Sequence, residues 1–342
     1  MNDKEAGAPS PSRGIGLRIR HRRLHRRITG QLASVENVLL DSAKSDIPLL
    51  GEAAEHLIKA GGKRLRPALT LLAAQFGDPY APGVVEAAAA VELTHLATLH
   101  HDDVMDQAPV RRDVPSVNAR WGNLVAVRSG DFLLSRAAQL VAAIGEHAIR
   151  AQEGVISRLV RGQALELSGP GPGDDPVAHY MDVIGDKTGS LIALAARLGA
   201  LLSGADQETV ARFSEFGERI GVVFQLADDI IDIQGGSSGK TAGTDLLHGV
   251  PTLPVLMLKS RWADGTGPQD ARLRVLIGEG PTTREQRHEA LTLLRRHPVL
   301  AEARAYTCDQ ARKAAGILAQ LPPCDAKDAL DDLCGTLAGR MA

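Results

Sequence analysis

The sequence predicts an all-α protein folded as one large helical bundle. Three observations carry that expectation. Apolar residues recur at three- and four-residue spacing through long Ala/Leu/Val segments, none of these segments sustains two-residue alternation, and glycine- and proline-bearing breakers separate them. The 342 residues exceed a domain of ~150 residues, yet a single helical bundle can reach this size. Hydrophobic residues make up 44% and charged residues 23%, enough to bury a sizeable core and too balanced for a disordered chain.

The chain opens with a different composition. Met1 to Gly16 is polar and rich in Pro, Gly and Ser, and seven arginines fall between Arg13 and Arg27. Residues 1–28 therefore read as a basic, disordered tail, and residues 29–342 as the helical domain. A solvated charge run is the plain reading of the tail; attachment to anionic lipid is the sharper one. A transit peptide is disfavoured by Asp3 and Glu5. From about Ser34 the pattern turns helical, with Leu32, Val35, Val38, Leu39 and Ser42 on one face. Helical segments then follow at 68–76, 84–101, 123–145, 151–168, 176–203, 207–234 and 250–262, with further stretches toward the C-terminus. The breakers fall at Gly61–Gly62, Gly77–Pro79, Gly169–Pro176, Gly235–Gly239 and Asp264–Pro268.

Composition also excludes some functions. A net charge of −2 gives no global field to recruit nucleic acid, and 3% aromatics leave few platforms for stacking bases. Cys308, Cys324 and Cys334 form no metal or redox spacing, which points to reduced thiols in a cytoplasmic protein. No apolar run reaches the ~18–20 residues of a spanning helix, and no apolar signal core stands near Met1. At most the basic tail would touch a membrane surface.

One acidic pattern occurs twice, as Asp102-Asp103-Val104-Met105-Asp106 and Asp228-Asp229-Ile230-Ile231-Asp232. On a helix, residues i and i+4 share a face, so Asp102 pairs with Asp106 and Asp228 with Asp232. Like charges so placed, flanked by apolar helix, are costly unless a cation joins them. Mg²⁺ suits the role, because it takes one or two protein carboxylates and completes its octahedron with water and phosphate. A single copy would more simply be an exposed acidic face. Two copies in apolar helices are a strong signal for metal ions around a diphosphate.

A diphosphate also needs cationic side chains. Gly61-Gly62-Lys63-Arg64-Leu65-Arg66-Pro67 sets Lys63 and Arg66 behind a glycine pair, with Pro67 in the first turn of the next helix. Arg111 and Arg112 follow the first acidic motif, and arginine grips phosphate oxygens in pairs. Lys187, Thr188 and Lys240 are further candidates. The stretch around Lys240 lacks the Walker spacing and follows a helix, which disfavours P-loop chemistry.

With these residues in place, the chain resembles the trans-isoprenyl diphosphate (polyprenyl) synthases over about residues 32–260. The likeness rests on Gly61–Pro67, both aspartate motifs with the arginine pair, Lys187-Thr188-Gly189, Phe224-Gln225, and Gly239-Lys240 through Thr252-Leu253-Pro254. It implies a helical bundle of the isoprenoid synthase type with a central cavity, and usually a homodimer. It implies that isopentenyl diphosphate adds to an allylic diphosphate ionised with the help of Mg²⁺, three ions per site. Asp102, Asp106 and Asp228 would ligate metal, with Asp103, Asp229 and Asp232 supporting them; these six and Lys187 form the catalytic set. Lys63, Arg66, His95 and Arg112 would bind isopentenyl diphosphate, while Arg111, Lys187, Thr188, Gln225 and Lys240 would hold the allylic diphosphate. Val250 stands where many relatives carry a second lysine.

In this family the product grows along the helix bearing the first motif. Ala97 and Thr98, about one turn before Asp102, are small where short-chain relatives often carry aromatics. This favours a product longer than farnesyl, with Phe132 a candidate plug deeper down. Geranylgeranyl and farnesyl diphosphate synthesis are the nearer alternatives. A terpene cyclase is the remoter one, since cyclases usually replace the second aspartate motif and have no use for a second diphosphate site. A regulatory subunit would show degraded motifs, and a simple Mg²⁺- or Ca²⁺-binding helical protein leaves the arginine pair unexplained.

Overall fold

The computed structural model describes residues 17–235, 242–247, 249–262, 268–278 and 283–339. Met1–Gly16 and Lys240 lie outside them. In chain order the helices are α1 (Arg22–Ala43), α2 (Pro48–Lys59), α3 (Leu65–Ala73), α4 (Val84–Met105), α5 (Val117–Trp121), α6 (Asn123–Ile144), α7 (Glu146–Ser168), α8 (Pro176–Ile184), α9 (Ser190–Leu202) and α10 (Gln207–Gln234). They continue with α11 (Thr244–Leu247), α12 (Leu253–Arg261), α13 (Pro268–Gly278), α14 (Arg284–Arg296), α15 (Pro298–Ala319) and α16 (Asp325–Gly339). The only strands among the described residues are β1 (Val110–Arg111) and β2 (Val114–Pro115), one short antiparallel hairpin. The all-α expectation holds.

The boundary at residue 28 is corrected. Helix α1 starts at Arg22, and Leu24, Ile28, Gln31, Val35, Leu39 and Ala43 form its buried stripe. Leu17 and Ile19, just ahead of it, are buried as well. Apolar residues at every third or fourth position bind this stretch to the core while its arginines face outward.

Two helices organise the bundle. α4 is apolar on nearly every side, with Ala87 to Thr94, Leu96, Ala97, His100 and Asp103 all buried, and it packs on α1, α3, α6 and α9. A helix so uniformly apolar belongs at the centre of a fold. α10 has 28 residues and spans about 42 Å. Its Phe213, Phe216, Ile220 and Val223 join the core around α4, whereas Leu226, Ala227, Ile230 and Ile233 join a second core formed with α8 and α12–α15. Each aspartate motif sits at the C-terminal end of one of these helices.

The segment read as one helix over 176–203 contains a π-helical turn, Gly185–Gly189, between α8 and α9. Such turns often mark functional sites. A Cβ at Gly221 would lie 2.7 Å from the Gly189 Cα, so two glycines let α10 close onto this turn. No helix of the described residues is long and apolar enough to cross a membrane.

Candidate active site

In the first motif the geometry separates the three carboxylates. Asp102 is partly exposed, Asp106 is exposed and caps α4, and Asp103 is fully buried. The helix C-terminus carries the negative end of the backbone dipole, which adds to the repulsion between Asp102 and Asp106. Burial pushes the Asp102 carboxyl up to about 6; nearby Lys187 works against that rise and Asp106 adds to it. Asp103 turns away. Its Oδ1 accepts from Arg111 Nε at 2.7 Å and lies 2.6 Å from Arg111 Nη2, while its backbone carbonyl accepts from Asn118 at 3.0 Å.

Arg111 and Arg112 belong to the hairpin. Its tip, Arg112–Asp113, has φ of +57° and +64°, the backbone of a type I′ turn without glycine. Left-handed backbone at non-glycine residues costs of order 1–3 kcal/mol each, strain that the surrounding contacts must offset. The Arg112 guanidinium donates to Leu57 O at 2.9 Å and to Gly61 O, and lies 3.6 Å from buried Glu92. Gly62, at φ +146°, has backbone that a side chain would strain, and a Cβ would also stand 3.0 Å from that guanidinium carbon.

The glycine-rich segment divides its cations. Arg64 is the buried one, held by Glu36, by Glu92 at 2.9 Å and by Ile58 O at 3.0 Å. Lys63 is exposed. Arg66 is lowered to about 10 by burial, and its buried Nε has no hydrogen-bond partner. His95 is held well below its ordinary value, first by burial and then by repulsion from Arg66, Arg112, Arg111 and Arg64. The imidazole is therefore neutral. Arg66, Arg112, Arg111 and Arg64 all act on His95, and a buried carboxylate that motif reading did not single out, Glu92, meets Arg64 and Arg112 and acts on Arg66.

The second motif repeats the division with different partners. Asp228 is exposed, Asp232 is half-buried, and Asp229 is buried at 2% exposure. Asp232 accepts from the backbone N–H groups of Thr244 and Asp245, both at 3.2 Å, which ties α11 to α10. Asp229 accepts from the Tyr180 hydroxyl, from Gln225 Nε2 at 3.1 Å and from Leu253 N at 3.4 Å. Burial pushes its carboxyl up to about 7, against the pull of those donors. Val250 is exposed nearby, its N–H bonded to Asp245 O at 2.8 Å.

The π turn connects the two motifs. Thr188 donates to Gln225 Oε1 at 3.3 Å, and Gln225 in turn donates to Asp229. The adjacent Lys187 pairs with Glu166 of α7 and acts electrostatically on Asp102. Arg158 and Arg161 fix the turn by donating to Asp186 at 2.7 Å, and Arg158 also bonds Glu218 at 2.8 Å. Sequence reasoning missed Glu166, Tyr180, Asp186, Arg158 and Glu218. They stand far apart in the chain and belong to no motif; only Glu92, a carboxylate inside an apolar helix, left a legible trace.

No cluster of three or more His, Cys, Asp or Glu side chains poised for a metal occurs among the described residues. The donor set still fits Mg²⁺, which needs few protein carboxylates. Desolvated Asp102 beside Asp106 at a helix C-terminus is a place where a hard cation relieves a real electrostatic cost. Of the proposed length-determining residues, Ala97 is fully buried, Thr98 donates to His95 O at 2.8 Å, and half-buried Phe132 carries the Arg136 guanidinium 4.7 Å from its ring centre.

Residues 47–294 match the family model described as Polyprenyl synthetase. The chain belongs to the polyprenyl synthetase family. This polyprenyl synthetase is 44% identical over 302 residues to the nonaprenyl diphosphate synthase of Mycobacterium tuberculosis, covering 87% of this chain and 89% of that protein. It is 37% identical over 313 residues to heptaprenyl diphosphate synthase component 2 of Geobacillus stearothermophilus, covering 90% and 94%. Its fold matches the geranylgeranyl pyrophosphate synthase of Corynebacterium glutamicum, crystallised with calcium and isoprenyl diphosphate. There the TM-score is 0.84 and the identity 38%, covering 95% of this chain and 99% of that one. The enzyme class read from the sequence, a prenyltransferase of the polyprenyl diphosphate synthase type, stands.

Proposed function

We propose that this polyprenyl synthetase joins isopentenyl diphosphate head to tail with an allylic diphosphate, making an all-trans polyprenyl diphosphate longer than farnesyl. The observation that carries the reading is the pair of i,i+4 carboxylates ending each central helix, with Lys187 acting on Asp102 of the first motif and Thr188 reaching Asp229 of the second through Gln225. The names of the relatives from M. tuberculosis and G. stearothermophilus support a product beyond farnesyl.

Asp102, Asp106 and Asp228 hold the metal ions, three Mg²⁺ per site. The calcium in the C. glutamicum structure supports a hard divalent cation. Bound Mg²⁺ supplies a Lewis acid for the charge that develops on the departing diphosphate. Asp103 and Asp229 orient the cavity through Arg111 and Gln225, and Asp232 anchors the following loop. Lys187, Thr188, Arg111 and Gln225, with Lys240 from outside the described residues, position the allylic diphosphate. Lys63, Arg66, Arg112 and neutral His95 receive the isopentenyl diphosphate. Preorganised donors of this kind act where water is excluded. The proton lost after condensation passes to the released diphosphate, so no side chain is assigned as base.

Ala97 and Thr98 set product length, with Phe132 further along. Assembly is as a homodimer through the outer faces of α6 and α7, which expose Leu124, Val127, Ile149 and Val160; light scattering of the purified chain checks this. The decisive experiment incubates the purified chain with radiolabelled isopentenyl diphosphate, Mg²⁺ and each allylic primer, then sizes the products. Turnover to chains longer than farnesyl is expected. No turnover with any primer overturns the reading. Ala97→Phe should shorten the product by at least one isoprene unit, and an unchanged length removes the role given to that position.

A further inference from the structure

The π turn Gly185–Gly189 carries Lys187 and Thr188, and it is braced from two sides by side chains that bond neither aspartate motif. Within the turn Asp186 is buried at 3% exposure. Arg158 Nε and Arg161 Nη1 of α7 donate to its two carboxylate oxygens, each at 2.7 Å. The other Arg158 nitrogens reach further. Both donate to Glu218 of α10, at 2.8 and 2.5 Å, and Nη2 also donates to Gly185 O at 3.2 Å. One guanidinium thus ties α7, the turn and α10 together. The chain makes room for this: a Cβ at Gly162 of α7 would lie 2.8 Å from Asp186 Cβ and 2.9 Å from Lys187 Cγ.

A π turn holds one residue more than an α-helical turn; here the Ser190 N–H bonds back to Gly185 O. Relaxation to an α-helix would shift the register by one residue and rotate the side chains that follow by about 100°. Lys187 and Thr188 depend on that register, because these neighbours serve different helices. Lys187 pairs with Glu166 of α7 and acts on Asp102, while Thr188 donates to Gln225 of α10. The planar fork of an arginine fixes direction as well as charge, which the point charge of a lysine does not. Arg158 uses that fork on two carboxylates at once.

We propose that Arg158 is a positioning residue for the allylic diphosphate: anchored on Asp186 and Glu218, it holds the π turn in the register that presents Lys187 and Thr188. It touches no substrate itself. The inference rests on the assignment of Lys187 to the allylic diphosphate, and the test separates the two.

The full-length wild type and Lys187→Gln are assayed first with radiolabelled isopentenyl diphosphate, Mg²⁺ and the allylic primer. No turnover by the wild type, or an unchanged primer KM in Lys187→Gln, overturns the underlying assignment and this inference with it. Given both, Arg158→Gln should raise the primer KM about tenfold, the loss of one charge-assisted contact. KM for isopentenyl diphosphate should stay unchanged. Arg158→Lys, which keeps the charge and loses the fork, should raise the primer KM less; should Arg158→Gln fail to fold, it carries the same comparison. Combining Arg158→Gln with Lys187→Gln should cost less than the product of the single effects, because one acts through the other. Arg219→Gln, which breaks the 3.1 Å bond from the next residue of α10 to Gln310, should loosen α10 without moving either KM. With Lys187→Gln behaving as assigned, an unchanged primer KM in Arg158→Gln, a rise shared equally by both substrates, or full multiplication with Lys187→Gln overturns the role of Arg158 alone.

Discussion

Asp103 and Asp229 hold the same place in two copies of one pattern, and both are buried, but their charges are met in different ways. Asp103 is answered by a full positive charge, Arg111, at 2.6–2.7 Å. Asp229 is answered only by neutral donors, Tyr180, Gln225 and the backbone of Leu253, and its carboxyl rises to about 7. The first motif thus sits among cations, with Arg111 beside Asp103, and Lys187 and Arg111 acting on Asp102. About two turns earlier on α4, neutral His95 feels Arg64, Arg66, Arg111 and Arg112. The second motif sits in a hydrogen-bonded setting. Identical spacing fixes which carboxylates face outward; the neighbours decide how the inward one is tolerated.

The largest effect expected from this comparison is on catalysis, and it should not distinguish the motifs. Asp102→Asn and Asp228→Asn each remove an outward carboxylate, and kcat should fall about 10²–10³-fold, the scale of losing one preorganised electrostatic group. Steady-state kinetics at saturating Mg²⁺ tests this. If either substitution leaves kcat within a few-fold of wild type, the outward pair of that motif does not hold metal.

Stability should separate the motifs where catalysis does not. Asp103→Asn removes the fully buried charge that pairs with Arg111, and should cost about 3 kcal/mol, the low end for a broken buried pair because Arg111 reaches solvent. Asp229→Asn keeps an amide among neutral donors and should cost about 1 kcal/mol. Urea denaturation of the metal-free protein gives both values. Equal costs would erase the distinction between a charge-paired and a hydrogen-bonded middle aspartate.

These contrasts show what the sequence could and could not reveal. The outward pairs were legible because i,i+4 spacing is a local property of a helix. The central position of α4 was legible in its uninterrupted apolar run. Tyr180 as the partner of Asp229 was not, since 49 residues separate them and only the packing of α8 on α10 brings them together. In Lys63-Arg64-Leu65-Arg66 the spacing could not say which cation is buried. Left-handed backbone at Arg64, φ +45°, swings that side chain onto Glu36 and Glu92. The start of α1 was hidden for a related reason, because Leu17, Ile19, Leu24 and Ile28 are scattered among arginines whose charge dominates the composition.

The smallest expected effect tests whether the first motif's surroundings are cationic enough to govern a titration. His95 is neutral in the free protein because burial and four arginines disfavour its protonated form. Its folded pKa lies below the unfolded value near 6.5, so the unfolded chain binds more protons, and stability is lost as pH falls through that range. Between pH 6.5 and 5.5 this one group should cost about 1 kcal/mol, and His95→Gln should abolish that part of the acid sensitivity. A diphosphate placed among the same arginines reverses the local field, so its binding should raise the His95 pKa and draw a proton from solution. NMR titration of the imidazole, with and without inorganic diphosphate, reads both. A His95 that titrates near 6.5 and ignores diphosphate would mean that the arginines do not converge on it. In that case the electrostatic difference between the two motifs would reduce to the single pair Asp103–Arg111.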